Sequence, residues 1–161
     1  MKKVFTLQQA HIFLEKLHNE KKKIVLVGGC FDIVHIGHII FLEKSKARGD
    51  VLVVMLENDT TIRERKGIQR PIHTQQQRAH ILSDLIMVDV VVLLPQVSTN
   101  KAYDQIVQKL FPDIIAATRG DTGAKHKKRQ AKQLRIQFAY VTNKVKSFST
   151  TILLQTLAKE E

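Results

Sequence analysis

The sequence predicts an α/β fold, a Rossmann-like, doubly wound parallel sheet of five strands with helices on both faces. Three observations carry this expectation. Short runs of β-branched and aliphatic residues alternate with segments of helical periodicity along the chain. Strands recurring in that way need crossover connections, which makes them parallel. The first run, Ile24-Val25-Leu26-Val27, ends in Gly28-Gly29 and leads into a helical segment, the junction at which such sheets hold phosphates.

The elements follow in order. Thr6 and Gln9 have capping-box spacing, and Leu7, Ala10, Leu14 and Leu17 mark one helical stripe, so an opening helix precedes the first strand. Residues 36–48 read as a helix closed by Gly49, and residues 51–56 as a second strand buried on both faces. Residues 57–73 form a polar, basic connection. A second capping box, Thr74 with Gln77, starts a helix carrying Ala79, Leu82, Leu85 and Ile86. A third strand at 88–94, a helix through Ala102, Ile106 and Leu110, and a fourth strand at 113–117 come next. A basic helix at 125–134, a fifth strand at 136–141 and a last helix at 149–158 complete the series. Residues 1–161 read as one domain, with residues 1–22 an N-terminal helix appended to the core.

Composition narrows the function classes. A chain of 161 residues, 43% hydrophobic and 25% charged, has the balance of an ordinary folded domain. The longest apolar stretch, residues 88–94, is broken by Asp89 and falls far short of the roughly 20 residues of a membrane span. A single cysteine, Cys30, leaves no intramolecular disulfide and fits a reducing, cytoplasmic setting. The formal charge of +11 predicts attraction to polyanions without choosing among nucleotides, nucleic acids and anionic surfaces. Its two densest runs, 21–23 and 125–135, read first as solvated faces.

The segment GGCFDIVHIGH, residues 28–38, joins the first strand to its helix. A helix amino terminus there offers unpaired N–H groups and about half a positive charge. His35 and His38, three residues apart around Gly37, would present two imidazoles to one anion. Ser149-Thr150-Thr151 open the last helix after the fifth strand; they are either an ordinary N-cap or a second phosphate cradle beside the first. Such groups suit attack by a phosphate oxygen on the α-phosphorus of a triphosphate. A phosphate monoester has a second pKa of about 6 and is already largely dianionic near pH 7, so no general base is needed. Alignment and charge neutralisation are what remains to be supplied.

Together, GGCFDIVHIGH and the later STT resemble the cytidylyltransferase-like nucleotidyltransferases. Residues 57–59, 65–71, 77–79, 88–91 and Pro112-Asp113 are most similar to the adenylyltransferase domain of ADP-heptose synthase. The resemblance implies that His35, His38 and Lys66 act on the triphosphate, the lysine from a mobile loop. It implies that Gly29, Phe31, Gly37, Arg119, Asp121, Ser149, Thr150 and Thr151 form the nucleotide site, and that Asp32, Arg70 and Arg78 serve the phosphorylated acceptor. It further implies Mg²⁺ bound with the triphosphate and a homodimer. Relatives that use CTP tend to carry Arg-Thr-Glu-Gly-Ile before the STT, whereas this chain has Lys144-Val145-Lys146-Ser147-Phe148.

The leading expectation is therefore a nucleotidyltransferase that joins a nucleoside monophosphate from ATP or CTP to a phosphorylated small molecule, with heptose 1-phosphate and ATP as the best pair. Glycerol 3-phosphate with CTP is the alternative within the class. A nucleotide sensor without turnover and an RNA-binding protein are the alternatives outside it, nucleic acid being the less favoured partner. Cys30 reads as a packed residue and Asp89 as a capping group. His11, His18, His73, His80 and His126 lack zinc-ligand spacing, and no protein metal site is expected.

Overall fold

The computed structural model describes residues 3–144. The elements are β1 (Val4–Thr6), α1 (Leu7–Asn19), β2 (Ile24–Gly29), α2 (Ile36–Lys46), β3 (Val51–Leu56), α3 (Asp59–Lys66) and α4 (Gln75–Asp84). They continue with β4 (Val90–Leu93), α5 (Asn100–Leu110), β5 (Ile114–Arg119), α6 (Ala124–Leu134) and β6 (Gln137–Asn143). The strands form one parallel sheet in the order β1-β4-β3-β2-β5-β6.

The sheet has six strands, which corrects the expected five. The additional one, β1, pairs Val4, Phe5 and Thr6 with Val91, Val92 and Leu93 of β4. Three residues give no readable alternation, and Thr6 is at once the last strand residue and the N-cap of α1. The opening segment thus enters the sheet, and Ala10 and Leu14 of α1 are part of the core. The segment at 57–73 also contains a helix that periodicity does not reveal. Asn58 caps α3 by accepting from the Thr60 N–H, and only Thr61 and Ile62 of its eight residues are buried.

Alternation along the strands sorts the core into two layers. Ile24, Leu26, Val51, Val53, Val90 and Val92 face α1, α5 and α6, where they meet Ala10, Leu14, Val107, Leu110 and Ala131. Val25, Val27, Leu52, Val54 and Val91 face α2 and α4, where they meet Phe41, Leu42, Ala79 and Leu82. Helices therefore cover both faces, and the central strands are apolar on both sides. No helix among the described residues is long and apolar enough to cross a membrane.

Both capping boxes form, Thr6 with Gln9 and Thr74 with Gln77. Gly49 has a reason other than helix closure: a Cβ there would lie 2.7 Å from the Lys23 carbonyl oxygen and 2.7 Å from Val25 Cγ2. Asp89 is the capping group expected, its Oδ2 accepting from the Leu52 N–H at 2.7 Å and from Lys46 Nζ at 2.6 Å.

Candidate active site

From β2 the chain goes outward to β3 and β4 and returns on the other side as β5 and β6, so the order reverses between β2 and β5. The two strands are in register at Val25 and Leu26, against six positions between β2 and β3, and they part toward their carboxyl ends. A cleft of about 300 Å³ opens there, bounded by the β2–α2 turn, the end of α3 and the ends of β5 and β6. This is the crevice in which open α/β sheets bind ligands.

His35 is the N-cap of α2, in extended conformation, and its Nδ1 accepts the Gly37 N–H at 3.1 Å. His38 closes the box by accepting the His35 N–H at its own Nδ1, 3.4 Å away. Histidine here does what serine and glutamine do in an ordinary capping box. With Nδ1 occupied as an acceptor, the neutral His35 ring carries its proton on Nε2, the nitrogen left to meet a ligand. The two ring centroids lie 3.9 Å apart, and Phe31 packs on His38 at 5.2 Å. Burial lowers the pKa of His35. Burial, with the adjacent His35 and Lys66, pushes His38 down to about 4. Both imidazoles are therefore neutral near pH 7; the His38 ring bonds the Ile33 carbonyl, which leaves the His35 Nε2–H as the ring donor available at the helix start.

Asp32 is 1% exposed and accepts three donors: Arg70 Nε at 2.6 Å, the Ile72 N–H at 2.8 Å and the His73 N–H at 3.0 Å. Burial would raise its pKa, but the His73 and Ile72 amides and the Arg70 guanidinium together hold it below the usual carboxylate range. His73 answers with a ring nitrogen 2.9 Å from the Asp32 carbonyl oxygen. Asp32 thus clamps the 70–73 segment along the cleft, and Arg70 borders the cleft with its Nε committed to that clamp.

Arg78 does not line the cleft, which corrects its assignment to an acceptor phosphate. Its side chain is fully buried, and its guanidinium donates to four oxygens: His73 O at 3.0 Å, Cys30 O at 2.5 Å, Glu57 O at 2.8 Å and Asp59 Oδ1 at 2.6 Å. These ties join α4 to the β2–α2 turn, the end of β3 and the first turn of α3. Arg119 is likewise outside the cleft; its guanidinium lies over the Tyr140 ring at 4.6 Å. Asp121 does border it, accepting the Gly123 N–H at 3.3 Å. Gly29, Phe31, Gly37 and Lys66 line the cleft as well, Lys66 as the last residue of α3. A Cβ on Gly29 would come within 3.1 Å of the Phe31 ring. Burial raises the Cys30 thiol, which leaves it a packed group. Ser149, Thr150 and Thr151 lie outside the described residues.

Several lining residues were not anticipated: Thr118, Thr122, Lys127, Thr142 and Asn143. Thr118 and Thr142 lie near the carboxyl ends of adjacent parallel strands, a position the order of elements makes available once the sheet is known.

The family model described as cytidylyltransferase-like matches residues 26–157. The bifunctional protein HldE of Aliarcobacter butzleri is 44% identical over 91 residues, 56% of this chain and 19% of that protein. The chain thus spans about a fifth of the length of such bifunctional relatives. A FAD synthase of Thermococcus sibiricus is 43% identical over 137 residues, 80% of this chain and 90% of that one. Among solved structures, a lipopolysaccharide core biosynthesis protein of Thermoplasma volcanium superposes with a TM-score of 0.61 at 31% identity, covering 76% of this chain and 97% of its own. A pantoate-beta-alanine ligase of Francisella tularensis, at 17% identity and TM-score 0.65 over 100% of this chain and 79% of its own, shares the fold. With its histidine-capped helix at the switch point of such a sheet, the chain belongs to the cytidylyltransferase-like family.

Proposed function

We propose that the chain transfers the adenylyl group of ATP to a phosphorylated sugar, with D-glycero-β-D-manno-heptose 1-phosphate as the best candidate acceptor. The observation that carries the proposal is the pair of neutral imidazoles capping α2 inside a cleft with surplus positive charge. An acceptor phosphate oxygen attacks the α-phosphorus, the bond to the β-phosphate oxygen breaks, and pyrophosphate leaves with that electron pair. His35 donates its Nε2–H to a phosphoryl oxygen on which charge gathers, and His38, whose ring bonds the Ile33 carbonyl and the His35 N–H, packs beside it and holds it in place. Lys66 adds a positive charge at the cleft edge, and Arg70, with its Nε held by Asp32, is the candidate to meet the acceptor phosphate with the rest of its guanidinium.

Mg²⁺ fits this site as the counter-ion that the triphosphate brings. The described residues contain no group of three or more His, Cys, Asp or Glu able to hold a metal, and Asp32 is already saturated by its three donors. Bound in that way, the ion supplies charge neutralisation on the phosphates. A homodimer and a cytoplasmic location belong to the same proposal.

The FAD synthase relative favours a second reading, in which flavin mononucleotide is the acceptor. The cleft supports it less. Its two aromatic residues among those described, Phe31 and Phe41, are 4% and 6% exposed and offer little ring face for a flavin to stack on. The bordering Lys66 and Arg70 suit an acceptor phosphate. Pyrophosphate release measured with ATP or CTP against heptose 1-phosphate, flavin mononucleotide and glycerol 3-phosphate tests both. Turnover with ATP and the heptose phosphate supports the proposal, turnover with the flavin replaces it by the second reading, and turnover only with CTP and glycerol 3-phosphate refutes both.

A further inference from the structure

The inner stripe of α6 contains Ala124, Gln130 and Ala131, all buried against the sheet. Position 127, three after Ala124 and four before Ala131, belongs to that stripe, yet it is a lysine. The other lysines of α6, Lys125, Lys128 and Lys132, are exposed, and Arg129 is paired with Asp104 at 2.9 and 3.0 Å. Lys127 instead runs its stem beneath the helix and brings its ammonium to the cleft with the side chain 19% exposed.

At the cleft, Lys127 Nζ donates to the Gly28 carbonyl oxygen at 3.0 Å, where β2 has parted from β5, and to Asp121 Oδ2 at 3.4 Å. An ammonium has three protons to place, and these two contacts, one of them long, satisfy two. Removing such a charge from water is costly without strong partners. The cleft as a whole compounds this: Lys66, Arg70, Lys127 and Lys144 border it against Asp32 and Asp121, and the Asp32 charge is already matched to Arg70. Its unneutralised cations are complementary to a polyanion. Of these, Lys127 is held from the β5 side, across the crevice from the α3 end that carries Lys66.

We propose that Lys127 is a nucleotide-contacting residue whose ammonium donates to an anionic phosphoryl oxygen of the bound nucleoside phosphate, opposite the histidine pair. This rests on the nucleotidyl-transfer reading above and extends it to a cation from the basic helix. A structural alternative exists, in which Lys127 only pins α6 to the end of β2. The two differ in what they predict for ligands with and without phosphate.

The test is equilibrium binding of ATP, AMP and adenosine to the full chain, measured by displacement of a fluorescent ATP analogue, for the wild type, Lys127→Met and Lys127→Arg. Loss of one charge-assisted donor is expected to weaken ATP and AMP roughly tenfold in Lys127→Met. Adenosine should bind that variant as it binds the wild type, and Lys127→Arg should recover most of the loss. Unchanged ATP affinity in Lys127→Met, or an equal loss for adenosine, overturns the proposal while leaving nucleotidyl transfer standing. A wild type that binds no nucleotide overturns both. Thermal melts accompany each variant; if Lys127→Met does not fold, Lys127→Gln carries the same comparison.

Discussion

Replacing Arg78 by methionine separates a scaffolding arginine from a substrate-binding one. The guanidinium is fully buried and makes four hydrogen bonds, three to main-chain carbonyls and one to the Asp59 carboxylate. Methionine matches much of the stem but none of the donors, so the His73, Cys30 and Glu57 carbonyls and one carboxylate lose their partner together. A buried acceptor left unsatisfied costs roughly 1–3 kcal/mol, and breaking a buried ion pair by removing one partner costs about 3–5 kcal/mol. Asp59 retains 23% of its side-chain exposure and recovers some hydration, which keeps the total near the lower end of the sum. The expected loss is about 6 kcal/mol, roughly 12–24 °C in Tm for a chain of this size. Urea and thermal unfolding measure it. Lysine, with one ammonium in place of a planar fork, should rescue less than half. If Arg78→Met melts within about 2 °C of the wild type and instead raises only the acceptor KM, Arg78 binds substrate and does not cross-link α4 to the β2–α2 turn.

Three further outcomes follow from the geometry. His35→Asn keeps an N-cap acceptor but removes the imidazole donor, so Tm should change little while kcat falls by roughly 10²-fold or more; a pyrophosphate-release assay showing unchanged turnover would remove His35 from the chemistry. His38 titrates at about 4 in the fold against about 6.5 unfolded, so the unfolded chain binds more protons between those values. The stabilisation is therefore complete above pH 6.5 and drains as pH falls toward 4, by on the order of 3 kcal/mol, and urea titrations across that window should show a shallower decline in His38→Gln. Gly49→Ala places a methyl 2.7 Å from the Lys23 carbonyl oxygen and Val25 Cγ2 and should cost roughly 1–3 kcal/mol in thermal unfolding; a neutral substitution would show that the β2 start yields easily.

The residues most legible in the sequence were those whose signal is local. Thr6 with Gln9 and Thr74 with Gln77 form the capping boxes their spacing announces, because the bonds close within one helical turn. His35 and His38 meet for the same reason, being three residues apart at a helix start. Strand β1 escaped notice because three residues carry too little pattern, and its stability comes from pairing with β4, more than 80 positions away. Helix α3 escaped because it is short, mostly polar and held by Asn58 and the Asp59–Arg78 pair rather than by an apolar stripe.

Arginines show the other boundary. Arg70, Arg78 and Arg119 look alike as residues near phosphate-binding motifs. In the fold one borders the cleft, one is buried under four acceptors and one lies on Tyr140. A long side chain reaches several ångströms in directions that its own backbone does not choose, so its partners are set by whatever other segments bring within that reach. Lys127 is the converse case, a residue of a basic run that only the packing of α6 on the sheet turns toward the cleft. The sequence alone determined the alternation of strands and helices, the parallel sheet that alternation requires and the histidine pair at a helix start, since each depends on neighbours within a few residues. Tertiary structure decided the sixth strand, the burial of Arg78 and the membership of the cleft, because those depend on contacts between segments whose distance along the chain carries no information about their distance in space.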